Sequence, residues 1–165
     1  MKKLASALKM LCLVLLAGVL LAGCGLTTVD GGNIVHQATI TSWYGDNNQY
    51  LDTSVNINFD EIKVSDIKKI TFTLKEGDEV LGNAVSEGDN LVTLLKDCAQ
   101  YWGATADTYT EVTGDRTISC AFSTRTEEND NGYWVRSKCT ATNAKVPDGL
   151  EVRVVVGDTE YVTEK

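Results

Sequence analysis

From Leu51 to Phe59 polar and apolar residues alternate without a slip. Leu51, Thr53, Val55, Ile57 and Phe59 fall on one side, and Asp52, Ser54, Asn56 and Asn58 on the other. Period two is the pattern of a strand with one buried and one wet face. Ile70, Phe72 and Leu74 alternate with Thr71 and Thr73 in the same way. A two-residue turn at Gly77-Asp78 sets Leu74 opposite Leu81 and Ile70 opposite Val85, and one at Gly157-Asp158 sets Val154 opposite Tyr161. Apolar side chains meeting across a hairpin are what a correct register produces. Gly-Asp recurs at Gly45-Asp46, Gly88-Asp89 and Gly114-Asp115. Glycine supplies positive φ and aspartate bonds its own backbone, so each pair is a turn candidate.

One segment departs from this period. In DNLVTLLKDCAQYWG, Leu91, Leu94, Leu95, Cys98 and Trp102 recur at helical spacing, Asp89 or Asn90 can cap the start and Gly103 can end it. This predicts an amphipathic helix near 90–102, packed on a sheet or closing one end of a barrel, with Cys98 as a core thiol. Short alternating segments between regular turns, with a single helix, predict an all-β fold: an immunoglobulin-like antiparallel sandwich, or a small barrel, of roughly eight strands.

The segment Thr117 to Ala141 reads as a hairpin folded about the polar run Glu127–Gly132. A symmetric fold puts Ile118, Cys120 and Phe122 on one face with Tyr133, Val135 and Cys139. Cys120 and Cys139 then lie opposite one another, at the α-carbon separation a disulfide tolerates. A bridge from Cys98 to either of them, and three free thiols, are the alternatives. The other face gathers Arg125, Trp134, Arg136 and Lys138, a cationic patch bearing an indole. Arginine stacks on such rings and pairs with acids, so these four are the predicted ligand-binding residues, for a protein or a glycan.

The first residues follow a different logic. Lys2, Lys3 and Lys9 precede an apolar run, Met10 to Ala22, that is too short for the roughly 18–20 residues of a bilayer span. A basic start, a short apolar stretch and a small-residue exit make an export signal. Leu21-Ala22-Gly23-Cys24 resembles the lipobox of bacterial lipoproteins at every motif position. The resemblance covers only this end of the chain. It implies a signal peptide, residues 1–23, cut before Cys24, whose thiol carries a diacylglycerol. Residues 24–32 are then a lipidated N-terminus and short tether, and 33–165 a single β-rich domain outside the cytoplasm, held to the membrane by its lipid. Two fatty chains anchor a protein where one holds it only marginally.

Composition narrows the function classes. The chain carries 15 basic and 23 acidic residues, and loss of the signal's three lysines leaves a net charge of −11. A surface of that sign argues against nucleic acid as a partner. It suits attraction to a cationic partner, so an inhibitor of a cationic cell-wall hydrolase is one alternative function and a structural envelope component another. His36 is the only histidine, in a strand-like run from Ile34 to Trp43, and is expected at a surface or sheet edge. Nucleophilic catalysis would have to use it, and no nucleophile-elbow sequence accompanies it. The Glu127 run has calcium-type oxygens, but the twelfth position of an EF-hand loop counted from it is Lys138, not glutamate. Neither a phosphate loop nor a dinucleotide fingerprint occurs. The expectation is a lipid-anchored binding module without catalysis, cofactor or metal.

Overall fold

The computed structural model describes residues 25–45, 48–123 and 147–165, and of residues 42–45, 48–49 and 123 the backbone only. The alternating runs become strands: β1 (Thr27–Asp30), β2 (Val35–Gly45), β3 (Asn48–Asn58), β4 (Ile67–Glu76), β5 (Glu79–Glu87), β6 (Asp115–Ser123), β7 (Gly149–Val156) and β8 (Thr159–Glu164). They form two sheets, a five-stranded one in the order β1-β8-β7-β4-β5 and a three-stranded one in the order β2-β3-β6. Helix α1 (Gly88–Ala99) is prolonged by a 3-10 turn, Gln100–Trp102, and Gly103 ends it with φ +76°. The architecture is the expected sandwich with one helix. Its strand order is its own: in antibody constant domains the first two strands share a sheet, and here they do not.

The two sheets face each other through the rows that the alternation marks. Leu51, Val55 and Ile57 of β3 and Ile118 and Phe122 of β6 are buried against Ile70, Phe72 and Leu74 of β4 and Leu150, Val152 and Val154 of β7. Within each sheet these residues are also cross-strand partners, as in Leu51–Phe122, Val55–Ile118, Phe72–Val152 and Leu74–Leu150. Each pair therefore removes apolar area from water on the same face of one sheet. Thr53 is the polar member of the β3 row. Its hydroxyl donates to the Cys120 carbonyl at 2.7 Å, which satisfies a group that burial would otherwise penalise. Thr53→Val keeps the shape and removes the bond. Urea unfolding should show a loss of about 1 kcal/mol.

At one side of the sandwich β2 packs over β7 and β8. At the other, α1 lies on β4 and β5 of the large sheet and on β6 of the small one, so it closes the gap between two sheet edges. Leu91, Leu95 and Cys98 form its buried face. The helix begins at Gly88, which has φ +55°, so Gly88-Asp89 opens a helix and does not close a hairpin.

Three features depart from the sequence reading. First, β4 and β5 pair through Glu76–Glu79 and Lys75–Val80, but Leu74 then faces Gly82 and Ile70 faces Ser86. Leu81 is the extra residue of a bulge, which moves every later partner by one and leaves Val85 exposed while Ala84 and Ser86 are buried. The Val154–Tyr161 pairing stands as expected. Second, Thr27–Asp30 is no tether but a strand running parallel to β8. A parallel neighbour comes from a distant part of the chain, so no local turn announces it. Third, the Gly31 amide donates to the Val162 carbonyl at 2.7 Å, and a β-carbon there would lie 2.1 Å from the Val35 carbonyl oxygen. Only glycine allows the chain to cross so tightly from one sheet to the other.

Candidate functional site

Cys24, Arg125, Trp134, Arg136, Lys138 and Cys139 lie outside the described residues, and so does the second strand of the predicted hairpin. Its first strand is β6, with Ile118, Cys120 and Phe122 on the buried face as the alternation requires. Cys98 and Cys120 are both free thiols. Cys98 points toward β6, 3.9 Å from the Ser119 carbonyl. Burial raises the pKa of both thiols, that of Cys120 to about 12. Thiols held neutral in this way are poor nucleophiles.

Two clusters of polar side chains stand out among the described residues. One crosses the outer face of the large sheet. Glu151 on β7 is 9% exposed and accepts from Lys75 Nζ at 2.6 Å and from Arg153 Nε at 2.5 Å. Arg153 Nη1 donates to Glu160 at 2.9 Å, and the Thr28 hydroxyl donates to the same carboxylate at 3.2 Å. The chain of bonds therefore runs over β4, β7, β8 and β1. Arg153, against the opposing effect of burial, brings the Glu151 carboxyl down to about 2, with Lys75 adding to the shift. Every strong donor in this cluster already has its acceptor, which is the signature of a fastening and leaves little to offer a ligand.

The second cluster is a cleft of about 500 Å³ where the end of α1 meets the start of β6. Two aromatic residues stand on its helical side. Trp102 is turned inward, its Nε1 donating to the Thr117 carbonyl at 2.8 Å and its ring 5.6 Å from that of Phe59. Tyr101, its neighbour, is 92% exposed. The other side is β6, through Asp115, Arg116, Thr117 and Ser119. Arg116 shares the inward row of Ile118, Cys120 and Phe122, at the end where the sandwich opens. Its Nη1 donates to the Asp115 carbonyl at 2.9 Å, while its Nε is buried without an acceptor. Arg153 has two carboxylates, and Arg116 has none among the described residues. Asp115 faces instead toward His36, at 3.5 Å.

His36 therefore sits on edge strand β2 beside an acid. Among the described residues no hydroxyl or thiol hydrogen-bonds to it, so the pair is not extended to a nucleophile. The sequence reading missed Tyr101 and Arg116. The available signal was a charged residue at the first inward position of an otherwise apolar strand row, and a tyrosine beside the last core residue of the helix. Comparison with protein-family models, with curated proteins and with solved structures finds no match to this chain.

Proposed function

We propose that this chain is a lipid-anchored binding module, held outside the cytoplasmic membrane through Cys24 and acting by recognition without chemistry. The anchor rests on the match of Leu21-Ala22-Gly23-Cys24 to the lipobox. Because β1 begins at Thr27, at most about 11 Å of extended chain would separate the lipidated residue from the sheet. The domain would then stand directly on the headgroups, with no stalk.

The observation that carries the binding function is Arg116: a cation whose Nε is buried without an acceptor, in the wall of a cleft that also holds a bare tyrosine. A buried donor without a partner is costly, and sites that bind are where such costs are kept. Two measurements test the two halves separately. Alkyne-palmitate fed to the native host should label the wild type and leave Cys24→Ser unlabelled; an unlabelled wild type ends the anchor reading. Purified wild type held in detergent, where the anchor sits in micelles, should also sediment with detergent-extracted envelope material of the host, and Tyr101→Ala and Arg116→Gln should each reduce the bound fraction several-fold. Unchanged sedimentation of both variants would show that recognition lies elsewhere.

A further inference from the structure

We infer that the cleft between α1 and β6 takes a carboxylate-bearing saccharide, its acid group on Arg116 and a sugar ring against Tyr101; this rests on reading the cleft as the recognition site. The guanidinium is a planar fork that suits a carboxylate with two parallel bonds. Here one arm is spent on the Asp115 carbonyl and the Nε arm is unspent. Asp115 lines the same cleft but faces His36 at 3.5 Å, so Arg116 leaves a single positive charge there for a ligand. A singly charged acid matches that charge. A dianionic phosphate would face Asp115 with too little positive charge, on a chain whose net charge is −8.

The aromatic side supplies the second half. Trp102 is pinned by its bond to Thr117, so it forms a fixed wall, while Tyr101 offers almost its whole ring to solvent. A flat ring with a polar tip, half apolar and half wet, suits a ligand of the same mixed character, such as the C–H face of a sugar with hydroxyls at its rim. Ser119 and Thr117 complete the strand side, with the Thr117 hydroxyl held by Asn56 at 2.8 Å.

An extended peptide is disfavoured by the state of the strand edge. A peptide binds an edge strand through main-chain hydrogen bonds. On β6 the Thr117 carbonyl already accepts from the Trp102 indole, and the Ser119 carbonyl already receives the Cys98 thiol at 3.9 Å. The helix thus occupies two of the carbonyls that a pairing strand would need. The side chains lining the cleft recognise instead by shape and charge.

Calorimetry on the full chain in detergent tests this, with four probes. They are a tetrasaccharide alternating glucuronic acid with N-acetylglucosamine, the same sugar with its carboxyls reduced to alcohols, glucose 6-phosphate, and a hexapeptide with a free C-terminal carboxylate. The acidic tetrasaccharide should bind, and its reduced form should bind at least about tenfold more weakly. Arg116→Gln and Tyr101→Ala should each weaken the acidic sugar by about tenfold, and Arg116→Lys should restore only part of the first loss. Tyr101 is too exposed for its loss to unfold the domain, so that variant stays informative if Arg116→Gln is poorly folded. Equal binding of the reduced sugar, or no binding of either sugar, overturns the ligand class. Arg116-dependent preference for the peptide or the phosphate overturns the class too, but leaves the cleft standing. Binding of the acidic sugar that survives both Tyr101→Ala and Arg116→Gln overturns the cleft itself.

Discussion

Phe72→Ala is expected to lower the free energy of unfolding by about 3–5 kcal/mol. Phe72 is 1% exposed and lies on β4, which has neighbours on both sides. It pairs with Val152 on one flank and Ala84 on the other. Truncation removes the transfer free energy of the ring and leaves a void that two hydrogen-bonded neighbours cannot move in to fill. A domain of this size has about 5–15 kcal/mol in total, so the variant should unfold at far lower urea, with a similar m-value. Phe72→Leu should cost much less, because most of the volume stays. Tyr101→Ala is the contrast, with a change within about 0.5 kcal/mol, since its ring covers nothing. If Phe72→Ala unfolds at the wild-type midpoint, the sandwich core is not where the structure places it.

The second large effect should come from Glu151, and it should depend on pH. The Arg153 guanidinium, then Lys75, hold this carboxyl well below its ordinary value of 4.5, at about 2, although burial pushes the other way. A carboxylate depressed in the folded state stabilises the fold fully above its unfolded value and loses that stabilisation as pH falls toward the folded one. Glu151→Gln should therefore cost on the order of 2–3 kcal/mol at neutral pH, a range discounted because Arg153 and Lys75 are partly open to solvent. The gap between wild type and variant should begin to close below about pH 5, be more than half gone near pH 3 and nearly vanish near pH 2. Other carboxylates titrate in both proteins, so the difference isolates Glu151. A gap that stays constant from neutral pH to pH 3 would mean that the cost of Glu151→Gln is steric and not ionic.

Local signals proved readable where the cause is local. The alternation of Leu51 to Phe59 names the buried row of β3 because side-chain direction in a strand reverses at every residue. Gly157 at φ +60° closes a two-residue turn, and that turn alone sets Val154 opposite Tyr161. The same reasoning at Gly77 succeeded for the turn and failed beyond it, since the Leu81 bulge leaves no mark in composition. The helical spacing from Leu91 to Trp102 likewise located α1, though its start at Gly88 precedes the expected cap.

The candidate site was far less legible. Tyr101 and Arg116 belong to different elements, and only the passage of α1 from β5 toward β6 brings them to one cleft. In sequence, Arg116 is one more charge before a strand; what distinguishes it is an Nε without an acceptor, which is a property of its surroundings. The ion network is similar. Glu151 and Arg153 share a strand face by their spacing, but Lys75, Glu160 and Thr28 come to them from three other strands.

By itself, then, the chain's order of residues determines which positions face inward and where the tight turns and the helix fall. These follow from steric and solvation preferences that act over a few neighbouring residues. The tertiary structure alone decided the pairing of β4 with β7, the parallel seat of β1 on β8, the charge network across four strands, and the meeting of Tyr101 with Arg116. Those depend on contacts between distant segments, whose free energy is realised only once both have been brought together in a single arrangement.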